Sequence, residues 1–185
     1  MMAAMRRRAI VLTPLAVLAA CGGSGERVAA EPLAAPATLR LSSPAFANNG
    51  RIPTRFTCNG AGARPALRWS GVPRRARELA LVVADPDAGG GGFVHWTAFA
   101  IPPRTRGLPS RGLPRGTRQG SNSTGGRGWT GPCPPPGDSP HHYVFTLYWL
   151  KRPSGLKAGA DGDAVLAAVR PRAGGRGRLV GRFSR

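Results

Sequence analysis

Acidic residues are scarce in this chain. Eight aspartates and glutamates stand against 27 lysines and arginines, nearly all of them arginine, for a formal net charge of +19. Such a surface attracts phosphate, whether on nucleic acid, on anionic lipid or on a small ligand. An arginine-, alanine- and glycine-rich composition bias produces the same balance with no partner at all. Aromatic residues make up 6% of the chain, and none interleaves with basic residues along a helix or strand as a base-stacking platform requires, so nucleic acid is not expected as a partner. Long hydrophobic runs are missing too: residues 9–18 form an apolar run of ten, too short to span a bilayer as a helix. The three cysteines show no CxxC spacing, no HExxH occurs, and no obvious nucleophile stands out. No catalytic residue, metal or cofactor is therefore assigned.

At 185 residues the chain fits one domain. Without an N-terminal segment it still buries roughly two-thirds of its unfolded surface. Arg6, Arg7 and Arg8 form a positive n-region, residues 9–18 an apolar h-region, and Ala19-Ala20 a small-residue cleavage region. Leu18-Ala19-Ala20-Cys21 resembles a bacterial lipobox, in which the cysteine is lipidated and becomes the first mature residue; an ordinary secretory peptide with a chance cysteine is the alternative. Each buried acyl methylene contributes about 0.8 kcal/mol, so several acyl chains hold a protein firmly on a membrane face. The expected division is a lipoprotein signal peptide over 1–20, a lipidated Cys21 with a Gly/Ala/Pro-rich tether to 37, and a folded domain over 38–185. Localisation follows: exported and lipid-anchored to the outer face of the cytoplasmic membrane.

The domain is organised around residues 79–102, LALVVADPDAGGGGFVHWTAFAIP. Two apolar runs, 79–84 and 93–101, are each long enough for a buried strand, and an Asp-Pro-Asp turn and four glycines separate them. A second stretch, 131–150, repeats the arrangement: a rigid Pro/Gly loop, then His141, His142 and Tyr143, then an apolar strand that is expected to be central and covered on both faces. All three histidines fall in these two stretches. Shorter strand signals occur at 39–41, 52–57 and 66–69. Segment 103–129 is long and poor in apolar residues. Asp163 is expected to cap a short helix over 164–170 that Pro171 stops, and 178–183 to add a last strand.

A carboxylate, two imidazoles and a phenol at the mouth of a sheet can hold an oxyanion: imidazole N–H and tyrosine O–H donate, and aspartate orients the histidine. Backbone N–H groups in the Gly/Pro loops add donors. Taken singly, each residue has a plainer role, Asp85 and Asp87 as turn formers about Pro86, Tyr143 and Trp96 as core aromatics, Pro134–Pro136 as a rigid connector. Turns alone, however, do not require histidines at both loops.

The blocks Asp85-Pro86-Asp87-Ala88, Phe93-Val94-His95-Trp96, Gly131-Pro132-Cys133-Pro134-Pro135-Pro136-Gly137 and His141-His142-Tyr143 resemble the signature of the phosphatidylethanolamine-binding protein family, in its bacterial, Raf-kinase-inhibitor-like branch. Phe56-Thr57-Cys58-Asn59-Gly60, Trp69-Ser70-Gly71-Val72-Pro73, residues 120–131 and the terminal Gly181-Arg182-Phe183-Ser184-Arg185 match in the same order. The resemblance implies a mainly β fold, two antiparallel sheets, one large and central and one smaller, with a short C-terminal helix. It implies a small anion pocket lined by Asp85, His95, Pro134, Pro135, His141 and Tyr143, with Asp87 and Trp96 in support, accepting phosphate-like and phosphorylethanolamine-like groups without turnover. Partners so implied are an anionic small molecule or phospholipid head group. The alternative is a protease or kinase partner inhibited through surface contacts, and a metal-dependent hydrolase built on Asp85, His95 and His141 comes third. Three departures stand out: His142 where the family most often has arginine, Trp129 for the usual tyrosine, and Arg172-Ala173-Gly174-Gly175 in place of a helix continuation that helps close the pocket. Cys58 and Cys133 are expected to form a disulfide in an exported protein, as the resemblance also implies, with two buried free thiols or a metal pair as alternatives. If His95 and His141 gain charge together, anion affinity strengthens as pH falls through about 6.5.

Overall fold

The computed structural model describes residues 35–185. The signal segment, Cys21 and the first part of the tether lie outside the described residues. Two strands carry the architecture, β4 (Glu78–Asp85) and β8 (His141–Leu150), and they pair antiparallel along their length. For their lack of alternation there is a simple cause: both faces are covered. Leu79, Leu81, Val83, Tyr143, Phe145, Leu147 and Trp149 enter one apolar layer, while Ala80, Val82, Tyr148 and Leu150 enter another on the opposite face.

Around this pair the large sheet runs β2-β9-β8-β4-β5-β7, with β2 at Gly50–Arg51, β5 at Phe93–Ile101, β7 at Arg118–Gln119 and β9 at Ala173–Phe183. All its pairings are antiparallel except the two-residue contact of β2 with β9, which is parallel. A small sheet, β1 (Arg40–Ser42), β3 (Leu67–Ser70) and β6 (Gly107–Leu108), lays Leu41, Leu67, Trp69 and Leu108 on the first layer. Helix α1 (Gly162–Val169) closes the second layer with Val165, Leu166 and Val169. The expected fold class is the observed one.

Details differ from the sequence reading. Residues 52–57 do not form a strand: Pro53 has no N–H to continue the ladder, and Thr54–Phe56 turn as a 3-10 helix instead. The helix starts earlier than expected because Asp161, not Asp163, is its cap, accepting the Ala164 N–H at 2.7 Å. Asp163 then sits in the first turn, where the helix dipole favours a negative charge. Segment 103–129 contains β6 and β7. The last strand begins at Ala173, not 178, and from Gly175 its residues alternate cleanly: Gly175, Gly177, Leu179, Gly181 and Phe183 face in, while Arg176, Arg178, Val180 and Arg182 face out.

Glycine along this strand is a packing requirement. A Cβ on Gly174 would overlap the Trp149 indole, and one on Gly181 would press on Ile52 and Phe46. The atypical Arg172–Gly175 segment is thus the last residue of a 3-10 turn and the first three residues of β9, placed where Ala173 pairs with Leu150. The cleft lies at the other end of the same ladder, where His141 pairs with Phe183. A part in closing the cleft is therefore excluded for this segment by its position.

Cys58 and Cys133, 75 positions apart, form a disulfide with Cα atoms 5.3 Å apart. It ties the turn after Phe56 to the Pro-rich loop, beside the Cys58 N–H to Pro132 carbonyl hydrogen bond of 3.0 Å. On a chain-entropy argument this closure stabilises by about 4 kcal/mol.

Candidate functional site

Where β4, β5 and β8 end together, a cleft of about 380 Å³ opens. Asp85 closes β4 and is buried, 3% exposed. Its Oδ1 accepts the N–H groups of Asp87 and Ala88 at 2.9 and 3.1 Å, the hydrogen bonds that shape the Asp-Pro-Asp turn. The expected turn role is real, yet it occupies only one oxygen. Oδ2 accepts from His141 Nδ1 at 2.8 Å. The chain then returns through Gly90, Gly91 and Gly92, all at positive φ, a run that only glycine tolerates at little cost.

The placement of His95 depends on a β-bulge. Val83 pairs with Trp96 and Ala84 with Val94, which leaves His95 as the extra residue. Bulges re-aim side chains: His95 joins the cleft wall with Phe93, while Trp96 enters the inner core below it. His95 Nδ1 lies 2.9 Å from the Thr130 carbonyl, so the ring donates from Nδ1. In the neutral ring Nε2 is consequently a lone-pair acceptor. Burial pushes the His95 imidazole below its ordinary pKa, opposed only in part by the Thr130 bond and the Asp85 charge.

His141 behaves oppositely. Burial works against its charge, but the hydrogen bond and charge of Asp85, and then Asp138 with Oδ2 at 3.4 Å from Nε2, outweigh it and raise its pKa. Tyr143 is fully buried, and its hydroxyl faces the Asp85 carboxylate without closing a well-formed hydrogen bond to it or to any other described residue. Burial pushes that phenol up, with the Asp85 and Asp87 carboxylates adding to the effect, so it keeps its proton as a donor. At the rim His142, exposed, gives both its backbone N–H (2.6 Å) and Nδ1 (2.8 Å) to Asp87 Oδ2. Partial burial tends to raise the Asp87 carboxyl, but these His142 contacts prevail and hold it below its ordinary value.

Of the residues singled out from sequence, Asp85, Asp87, His95, Pro134, Pro135, His141 and Tyr143 line this one cleft. Trp96 does not. It is fully buried beneath, donating Nε1–H to Gln119 Oε1 at 2.9 Å under the Arg64 guanidinium. The two histidines, treated alike from sequence, are separated: His141 is the group that gains a proton, and neutral His95 offers an acceptor. Among the described residues no three His, Cys, Asp or Glu side chains are placed to hold a metal ion; within the set Asp85, His95 and His141, Asp85 Oδ2 and His141 Nδ1 bond each other and His95 Nδ1 bonds the Thr130 carbonyl. Sequence reasoning missed Asp138, Thr130 and Phe93 in the lining, while Thr124 belongs to the 120–125 block that the resemblance sets at the pocket's border. Asp138 had a signal, three positions before His141. The Thr130 contribution is a backbone carbonyl, which no residue type announces. Trp129 is not in the wall; its ring stacks on Phe145 and donates Nε1–H to the Gly62 carbonyl.

Comparison with known proteins agrees with this architecture. The sequence model of the family described as phosphatidylethanolamine-binding protein matches residues 42–184. The chain is 44% identical over 155 residues to the Mycobacterium tuberculosis protein named "Putative lipoprotein LppC", an alignment spanning 84% of this chain and 77% of the relative. It is 43% identical over 152 residues to a UPF0098 protein of Methanothermobacter thermautotrophicus, spanning 80% and 99%. Among solved structures, E. coli YBCL, described as a new member of the mammalian PEBP family, superposes with a TM-score of 0.76 at 30% identity, covering 80% of this chain and 99% of that one. The chain belongs to the phosphatidylethanolamine-binding protein family.

Proposed function

We propose that the cleft binds phosphate-type anions, a phospholipid head group or a small phosphorylated molecule, without catalysing their turnover. The observation that carries this reading is His141: a buried imidazole at the cleft wall whose charge is sustained by Asp85 and Asp138. A protonated ring presents two N–H donors, one committed to Asp85 and the other, facing Asp138 at a loose 3.4 Å, open to competition by a phosphate oxygen. The Tyr143 hydroxyl, a donor that closes no well-formed hydrogen bond among the described residues, supports the same reading. Asp87 and Asp138 at the rim and the Nε2 acceptor of His95 suit a cationic group carried on the phosphate, as in phosphorylethanolamine. Pro134 and Pro135 stiffen the facing wall at little entropic cost.

The protein that carries the cleft is exported and held by lipid on Cys21 at the outer face of the cytoplasmic membrane. The lipobox resemblance supports this, and so does the lipoprotein name of the mycobacterial relative. Calorimetric titration with inorganic phosphate and with phosphorylethanolamine tests the binding reading. Saturable binding is expected that weakens at least several-fold in His141→Asn. No binding to a folded wild-type protein, or binding indifferent to that substitution, would overturn it.

A further inference from the structure

Among the described residues every ion pair joins a histidine to an aspartate, at the cleft or its rim. The other acids are spent elsewhere: Glu78 is buried and accepts the Ala100 and Ser154 N–H groups, and Asp161 and Asp163 sit at the start of α1. The outward side of β9 and its edge neighbour β2 consequently carries Arg176, Arg178, Arg182 and Arg51 with no carboxylate of the described residues paired to them.

The arrangement is a basic strip, interrupted only by Val180 between Arg178 and Arg182. Arg176 and Arg182 are six residues apart on one strand, roughly 20 Å. Arg51 stands in register beside Arg182, two like charges side by side, a pairing that is unfavourable without an anion to share. Two of the four are held in place by the backbone, Arg176 Nε on the Ala35 carbonyl at 2.9 Å and Arg182 Nε on the Asn49 carbonyl at 2.8 Å, so less side-chain freedom remains to be lost on docking.

The chain's entry into the fold bears on what covers this strip. Ala35 and Pro36 run alongside Arg176, whose own N–H bonds the Pro36 carbonyl at 2.8 Å. Cys21 lies only fourteen residues earlier in the sequence than Ala35. That intervening segment holds Glu26, Arg27 and Glu31, too little negative charge to cancel four arginines.

We infer that the outward face of β9 and β2 docks on an anionic lipid bilayer, with the tether entering at the Arg176 end. The inference rests on the anchored reading for its geometry. Basic clusters near a membrane gain about 1 kcal/mol per residue from anionic lipid, a second attachment beside the acyl chains. Docking this face also fixes the cleft. Arg182 pairs with His142, next to His141 in the cleft wall, so the cleft end of the sheet comes to lie beside the head groups.

The test uses the exported protein on vesicles of phosphatidylcholine, with and without phosphatidylglycerol. Flotation with neutral vesicles reports the lipid on Cys21; its absence overturns the anchor and not the face. Phenylglyoxal labelling, read by mass spectrometry, reports the face. Arg178 and Arg182 are expected to label several-fold more slowly when phosphatidylglycerol is present, with high salt reversing the protection. Arg104 and Arg115, exposed in the loops flanking β6, are expected to label at one rate on both vesicles. R178Q/R182Q is expected to lower the docked-to-undocked ratio, followed at Arg51 and Arg176, by roughly 25-fold, at about 5-fold per arginine. R104Q/R115Q should leave it unchanged. Equal protection at all these arginines, equal loss in both double variants, or no effect of phosphatidylglycerol overturns the inference and returns the strip to a general arginine bias.

Discussion

Removing His141 separates its charge from its hydrogen bond. Asp85 is 3% exposed, and its Oδ1 keeps the Asp87 and Ala88 N–H groups in any variant. Oδ2 accepts from His141. His141→Ala removes the imidazole donor from that oxygen; breaking a buried charged pair costs about 3–5 kcal/mol, and with Oδ1 still satisfied and the Tyr143 hydroxyl facing the same carboxylate the low end, about 3 kcal/mol, is expected. His141→Asn restores a neutral donor but no charge, so it should cost about 1 kcal/mol, the difference between a charged and a neutral hydrogen bond. The pH dependence has a definite sign. A histidine whose folded pKa is raised contributes stability that is complete below its unfolded value, about 6.5, and fades as pH rises through the folded value. The advantage of wild type over His141→Asn should accordingly be largest near pH 5.5 and shrink towards pH 8.5, as measured by urea unfolding across that range. His95 contributes with the opposite sign, since its depressed value costs stability as pH falls below about 6.5, but it is present in both proteins and cancels in the difference. A difference independent of pH, or one growing with pH, would refute the assignment of charge to His141.

Tyr143→Phe removes a hydroxyl that closes no well-formed hydrogen bond among the described residues, so unfolding stability should hold or rise slightly while affinity for phosphorylethanolamine falls; a stability loss above about 1 kcal/mol would show that the hydroxyl bonds Asp85 in the free protein. Reducing the Cys58–Cys133 disulfide should cost about 4 kcal/mol in thermal or urea unfolding and, because Cys133 lines the cleft, weaken ligand binding as well. Asp161→Ala should cost about 1 kcal/mol by loss of the helix cap, whereas Asp163→Ala should cost less, which chemical denaturation of the two variants distinguishes. Gly174→Ala should destabilise by several kcal/mol through overlap with the Trp149 indole, visible as a lowered Tm.

β4 and β8 were legible in the sequence because strands covered on both faces carry unbroken apolar runs, and no other local structure fits such runs beside Gly/Pro loops. β9 was legible only in its last residues. Its inward positions at 175, 177 and 181 are glycines, so the alternation is one of side-chain absence, which a search for apolar periodicity reads as loop. The site followed the same division. Histidines placed beside turn-forming aspartates identified the titratable groups of the cleft wall other than Asp138, since each type serves the chemistry directly. That Trp96 lies beneath the wall and His95 in it was not legible, because the bulge at His95, a matter of strand pairing, determines which of two neighbours reaches the cleft. The different protonation of His95 and His141 depends on a backbone carbonyl in one case and two carboxylates in the other, and only the folded chain brings those within reach.

The central claim is that a protonated His141 meets a phosphate in the cleft, and nitrogen-15 NMR of the three histidine rings during titration with phosphorylethanolamine tests it most directly. The prediction is that the His141 resonances shift saturably and that its titration midpoint rises further on binding, with neutral His95 perturbed but not newly charged. Saturable binding that leaves the His141 ring resonances and midpoint where they were would contradict the account.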